Sequence, residues 1–99
     1  MPRFVVLGKH SDEWLGRQPE RSNKVAAKAK ELGLDIKSSN YTQGIYDFVD
    51  VIDAADRESV MAFSIWYRTQ GFGDMTTMAV FQRPEFEAIG KTVGVTGDE

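Results

Sequence analysis

Four consecutive apolar residues, Phe4-Val5-Val6-Leu7, constrain this chain more than any other feature. They sit in Pro2–Lys9 (PRFVVLGK), a β-branched and aromatic run that reads as a strand. Successive side chains of a strand point to opposite faces, so a strand apolar at every position needs cover on both. Tyr46–Asp53 (YDFVDVID) repeats the condition, with Tyr46, Phe48 and Ile52 on one face and Val49 and Val51 on the other. Alternation also puts Asp50 on the Tyr46/Phe48/Ile52 face, a carboxylate inside an apolar row.

The segments between supply little cover. His10–Ser22 is polar and broken by glycine and proline, a loop or ragged helix entry. Ser22 or Asn23 can cap a helix running to Glu31–Leu32, whose stripe is Val25, Ala26, Ala29 and Leu32, with Gly33 as its stop. Asp35–Thr42 (DIKSSNYT) is a mostly polar strand suited to a sheet edge, followed by a Gln43-Gly44 turn. A second helix is expected over Arg57–Thr69, started at Asp56 and carrying Glu58 in its first turn. Its inner stripe is Val60, Phe63 and Tyr67, widened by Ile65 and Met61 or by Trp66. Gly71-Phe72-Gly73 breaks it, Met75–Phe81 forms a fourth strand, and Pro84 opens a short helix through Ile89.

The order is β-α-β-β-α-β. Right-handed crossovers on one domain, residues 1–90 with a flexible 91–99 tail, leave one economical α+β solution. It is the ferredoxin-like four-stranded antiparallel sheet with both helices on one face. Two helices cover one side only, and the inner strands are apolar on both. Burying about 600 Å² of apolar surface is worth about 15 kcal/mol gross, so face-to-face self-association is the expected remedy.

Composition closes off several function classes. The 99 residues are 41% hydrophobic and 27% charged, a globular balance. Without cysteine there are no disulfides, thiolate metal sites or cysteine nucleophiles, and a cytoplasmic protein is the default. A net charge of −3 lacks the basic excess that nucleic acid demands. No apolar run is long enough to span a membrane, and Met1–Lys9 is too short for a signal peptide's apolar region, so no membrane partner is expected. One histidine with scattered acids has no metal-ligand spacing, and phosphate loops and nucleophile elbows are absent, so neither metal nor cofactor is expected.

The stretch Gly44, Tyr46, Asp47, Phe48, Val49 and Asp56, together with Thr77-Met78-Ala79-Val80-Phe81 and Pro84-Glu85-Phe86, resembles the GYD-domain family. Pro2–Lys9 fits that family's first strand, so the likeness spans most of Pro2–Ile89. The chain departs at Asp50, where members usually carry an aliphatic residue, and at Phe72–Asp74, which replaces a Gly-Asn-Val lead-in. The resemblance implies the dimeric α/β-barrel superfamily, in which two sheets close into a barrel across a two-fold axis. That superfamily includes cofactor-free monooxygenases, haem-binding enzymes, lactone isomerases and ligand-sensing regulators.

Asp50 is the sharpest candidate. A carboxylate desolvated in an apolar strand has its pKa pushed up unless a cation or several donors meet it, which makes it an acid–base candidate. The plainer reading is an ion pair with Arg3 or Arg68, or across a dimer. His10, in a loop with Ser11, Asp12 and Glu13, is ordinarily a solvated residue and alternatively a general base. Asp47 reads as a turn-holding acceptor of backbone N–H groups. Tyr41 and Tyr46 are more commonly core aromatics; if the hairpin pairs, they are cross-strand neighbours with hydroxyls toward one cavity mouth. Trp14, Trp66, Phe72, Met75 and Met78 are either core or the lining of an apolar ligand pocket. Arg17, Arg21, Lys24, Lys28 and Lys30 read as a solvated helix face, interrupted by Glu20 and Glu31.

The leading expectation is a homodimer or higher homo-oligomer binding a small apolar ligand between sheet and helices, with Tyr41, Trp66, Met75 and Met78 against it. An enzyme is the rival: a monooxygenase, isomerase or lyase without cofactor, in which Asp50 or His10 moves the proton and Tyr46 steadies an oxyanion. A third reading is an interaction module docking a partner through the Asp35–Thr42 edge or the short last helix.

Overall fold

The first strand, β1 (Arg3–His10), lies second from one edge of a four-stranded sheet in a computed structural model that describes residues 1–95. The remaining elements are α1 (Asp12–Leu15), α2 (Gln18–Glu31), β2 (Asp35–Tyr41), β3 (Phe48–Asp53), α3 (Arg57–Thr69), β4 (Gly73–Val80) and α4 (Arg83–Lys91). Strand order is β2-β3-β1-β4 and every pairing is antiparallel, the ferredoxin-like arrangement. The last expected stretch, the tail over 91–99, is described only as far as 95; its helix continues to Lys91 and residues 96–99 lie outside the described residues.

Register decides which side chains meet. Val6 pairs with Asp50 and with Thr77, Phe4 with Ile52 and Ala79, Gly8 with Phe48 and Met75. These residues share the face packed by α2 and α3. Its core joins Val6, Phe48 and Ile52 to Ala29, Val60 and Phe63. Val5, Leu7, Val49, Val51, Met78 and Val80 point the other way, and no helix among the described residues covers them: the valines and Leu7 are half-buried and Met78 is 50% exposed. The doubly apolar strands therefore have cover on one side only. At the end of this open face Arg3 grips Asp53 with two hydrogen bonds of 2.8 and 3.2 Å. That guanidinium holds the Asp53 carboxyl below its ordinary value.

β2 carries a bulge. Ile36 pairs with Ile52 but Ser38 pairs with Val51, so Lys37 is the extra residue. The extra residue reverses the alternation beyond it. Ser39 and Tyr41 thereby join Ile36 on the helix-packed face, opposite Asp50 and Phe48.

Two helices begin differently from one another. Asp56 caps α3 as expected, its carboxylate accepting the Ser59 N–H at 2.7 Å. The first long helix, α2, starts at Gln18, four residues before Ser22. Pro19 sits comfortably in that first turn, where no N–H is needed, so neither Ser22 nor Asn23 is a cap. A separate turn, α1, precedes it and buries Trp14. On α3 the inner stripe is Val60, Phe63 and Tyr67, flanked by partly buried Trp66, whereas Met61 and Ile65 are exposed. Capped by Gln82 and Glu85, α4 buries none of its residues.

Candidate functional site

α2 does not close fully onto the sheet, and between them lies a cavity of about 230 Å³. Its floor is β1, β3 and β2; its walls are α2, α3 and the start of β4. Most of the lining is apolar, including Val25, Ile36, Phe48, Phe63 and Met75. Polar atoms enter from His10, Arg21, Ser22, Ser39, Tyr41, Asp50 and Tyr67.

Asp50 reaches the cavity from the middle of β3. Its Oδ1 accepts a hydrogen bond from Ser39 Oγ at 3.1 Å across the strand pair. Burial pushes the carboxyl up, while the Ser39 hydroxyl and the Asn40 backbone N–H only partly offset it. The arginine pairing expected for it does not form: Arg3 is committed to Asp53, and Arg68 Nε donates to the Ser64 carbonyl at 3.3 Å.

His10 ends β1 with its ring stacked on Phe48 at 5.1 Å between centroids and 20° between planes. Gly8 makes room for that stack, because a Cβ there would lie 2.4 Å from the Phe48 ring and 2.4 Å from the Asp74 carbonyl oxygen. The His10 N–H donates to Asp47 Oδ2 at 2.9 Å, so Asp47 accepts a backbone N–H, although from the end of β1 rather than from its own turn. Burial and then the charge of Arg21 lower the His10 pKa, against a smaller upward pull from Asp47.

Tyr41 closes one side of the mouth. Gln18 Nε2 donates to its hydroxyl at 3.0 Å, and Ser22 Oγ lies 3.3 Å away, tying the edge strand to α2. Burial would raise this phenol, but hydrogen bonding and the Arg21 charge outweigh it and bring it below its ordinary value. Opposite, α3 presents Tyr67, whose hydroxyl is buried with no hydrogen-bond partner among the described residues. Burial dominates there and raises the phenol, so it remains an O–H donor.

Four of the expected site residues, Asp50, His10, Tyr41 and Met75, line this one cavity. Three others do not. Tyr46 lies in the loop before β3, because the strand begins only at Phe48; Tyr41 pairs with Phe48 instead. Trp66 packs into the core, edge-on to Phe72 at 5.5 Å and stacked on Phe63 at 6.0 Å. Met78 lies on the open side of the sheet, one pleat out of phase with Met75. Trp14 and Phe72 likewise belong to the core, in edge contact at 4.6 Å.

Arg21 departs from the solvated basic face, of which Arg17, Lys24 and Lys30 are exposed. It is 3% exposed and lines the cavity, with Nη1 donating to the Trp14 carbonyl. The signal was available in the sequence: stepping back by four from Ala29 and Val25 lands on position 21, the inner stripe of α2. Tyr67 was legible as core; its unpartnered hydroxyl was not.

A family model described as GYD domain matches residues 4–89. No curated protein matches the chain. Among solved structures, the chain is similar to the 5-chloro-2-hydroxyhydroquinone dehydrochlorinase of Burkholderia phenoliruptrix AC1100, in complex with 2,5-dihydroxybenzoquinone. The two share 13% identity at a TM-score of 0.58, over 83% of this chain and 96% of that one, a likeness of fold.

Proposed function

The chain belongs to the GYD-domain family, and from that premise we propose that it is a homo-oligomeric protein that binds a small molecule in the cavity between α2 and the sheet. The observation that carries this reading is the cavity itself, lined in part by Tyr67, whose buried hydroxyl has no partner among the described residues. A donor withdrawn from water and left unpaired is a standing penalty that a ligand acceptor removes. The volume of about 230 Å³ suits a single-ring compound. In the dehydrochlorinase of the same fold, the bound compound is a single-ring quinone.

The assembly follows from the open face. Val5, Leu7, Val49, Val51 and Met78 form an apolar patch that a second copy buries about a two-fold axis. Size exclusion with light scattering is expected to give a multiple of the 11.1 kDa subunit; a clean monomer overturns the assembly. For the pocket, a thermal-shift screen of single-ring compounds is expected to yield stabilisers whose effect Tyr67→Phe weakens. A screen without any stabiliser overturns it.

One observation favours an enzymatic version. Burial raises the Asp50 carboxyl toward neutral pH and lowers the His10 ring, which favours its neutral, proton-accepting form. A substrate seated between them has an acid–base group at either end. In such an enzyme, Asp50→Asn and His10→Ala each lower turnover of a hydroxylated ring substrate by about 10²–10⁴-fold with the fold intact. Unchanged turnover in both variants removes these roles.

A further inference from the structure

Arg21 is a buried cation without a counter-charge. Among the described residues its guanidinium donates to the Trp14 carbonyl and lies within reach of the Tyr41 hydroxyl, and no carboxylate lies within ion-pair distance. A guanidinium has five N–H donors and no acceptor, so most of its capacity is unspent. Burying such a group is tolerated when an anion completes it. The acids on hand are engaged elsewhere: Asp50 takes the Ser39 hydroxyl, and Asp47 takes the His10 N–H. Glu20, one residue away on α2, bonds Arg17 outside the cavity.

Arg21 has two phenols for neighbours. Arg21, Tyr67 and Tyr41 all border the cavity, and the two phenols lie close enough to feel the guanidinium charge. Beyond them the lining turns apolar, with Phe48 and Phe63 as aromatic walls and Val25, Ile36 and Met75 between. Asp50 lies on the sheet floor, and its raised pKa reduces the repulsion it would exert on a bound anion.

We infer that the cavity takes a small organic oxyanion on an apolar ring, a carboxylate or an acidic phenol, with the anionic oxygens on Arg21 and the Tyr67 hydroxyl and the ring between Phe48 and Phe63. This rests on the small-molecule reading above and adds the charge of the ligand to it. The fork geometry of arginine suits two oxygens at once.

The test uses two probes of equal shape and different charge, benzoate and benzamide, titrated into the full-length protein and followed by amide chemical shifts. Benzoate is expected to bind about tenfold more tightly or better, with shifts at Arg21, Tyr41 and Tyr67. Arg21→Gln is expected to erase the preference, and Tyr67→Phe to weaken benzoate several-fold. Equal affinities in the wild type, or a preference that survives Arg21→Gln, overturn the oxyanion while leaving the pocket standing. Binding of neither probe overturns the pocket itself. Should Arg21→Gln fail to fold, the wild-type pair still decides, and Arg21→Lys is expected to keep the preference for benzoate at reduced affinity.

Discussion

Ser39 Oγ donates to Asp50 Oδ1 at 3.1 Å, and that hydrogen bond exists because Lys37 is an extra residue in the edge strand. Without the bulge, the residue two beyond Ile36 would share its face, and Ser39 would point to the open side of the sheet. The bulge thus turns a polar edge strand into one wall of the cavity and gives Asp50 its one side-chain donor among the described residues.

Asp50 carries a pH signature of definite sign. Its carboxyl has a raised pKa in the folded chain, so the folded state holds the proton more tightly than the unfolded one. Its contribution to stability is present at low pH and lost as pH rises from the ordinary value of 3.8 through the raised one. Asp50→Asn, neutral at every pH, is expected to remove that downward slope and to stabilise the protein at pH 7 by up to about 1 kcal/mol, moderated by solvent contact. Urea denaturation of both proteins from about pH 4 upward measures it.

His10 moves the opposite way. Its lowered pKa means that the neutral ring is favoured in the fold; stability is present above the unfolded value of 6.5 and declines as pH falls through the folded one. Imidazole proton shifts are expected to show a midpoint below 6.5 in the wild type. In Arg21→Gln the midpoint rises, since a neighbouring positive charge has gone while burial remains.

Removing the Tyr67 hydroxyl separates function from stability. Tyr67→Phe deletes a buried donor that the described residues leave unpaired, so the ligand-free protein is expected to gain about 1 kcal/mol. Ligand affinity is expected to fall in the same variant. Thermal unfolding with and without benzoate measures both; a destabilised ligand-free Tyr67→Phe would contradict the unpaired state of the hydroxyl.

Gly8→Ala places a methyl group 2.4 Å from both the Phe48 ring and the Asp74 carbonyl oxygen, and backbone cannot yield as a flexible side chain would. Destabilisation of about 2–3 kcal/mol is expected, the usual penalty for overpacking. Loss of the ring-current shift on His10 would report that the Phe48 stack has moved.

On the open face, Val51→Glu sets a charge in the centre of the apolar patch, far from the cavity side of the sheet. The subunit is expected to remain folded by circular dichroism. Light scattering is expected to drop to 11.1 kDa.

Much of this protein is readable without coordinates. The helix Arg57–Thr69 with its Asp56 cap, the polar edge strand, the side of the sheet on which Asp50 lies and the apolar second face all follow from local rules: a period of 3.6 for helices, a period of 2 for strands, and the donors a cap must satisfy. Those rules run along the chain. The bulge at Lys37, the start of β3 beyond Tyr46, the placement of Met78 against Met75, and the meeting of Arg21 with Tyr67 depend on which strand pairs with which and on how far α2 stands off the sheet. Such features are settled between segments distant in sequence, where one inserted residue reverses a face and one uncompensated charge defines a pocket. Local periodicity therefore determined the layers, and only tertiary packing decided which polar groups face one another across the space between them.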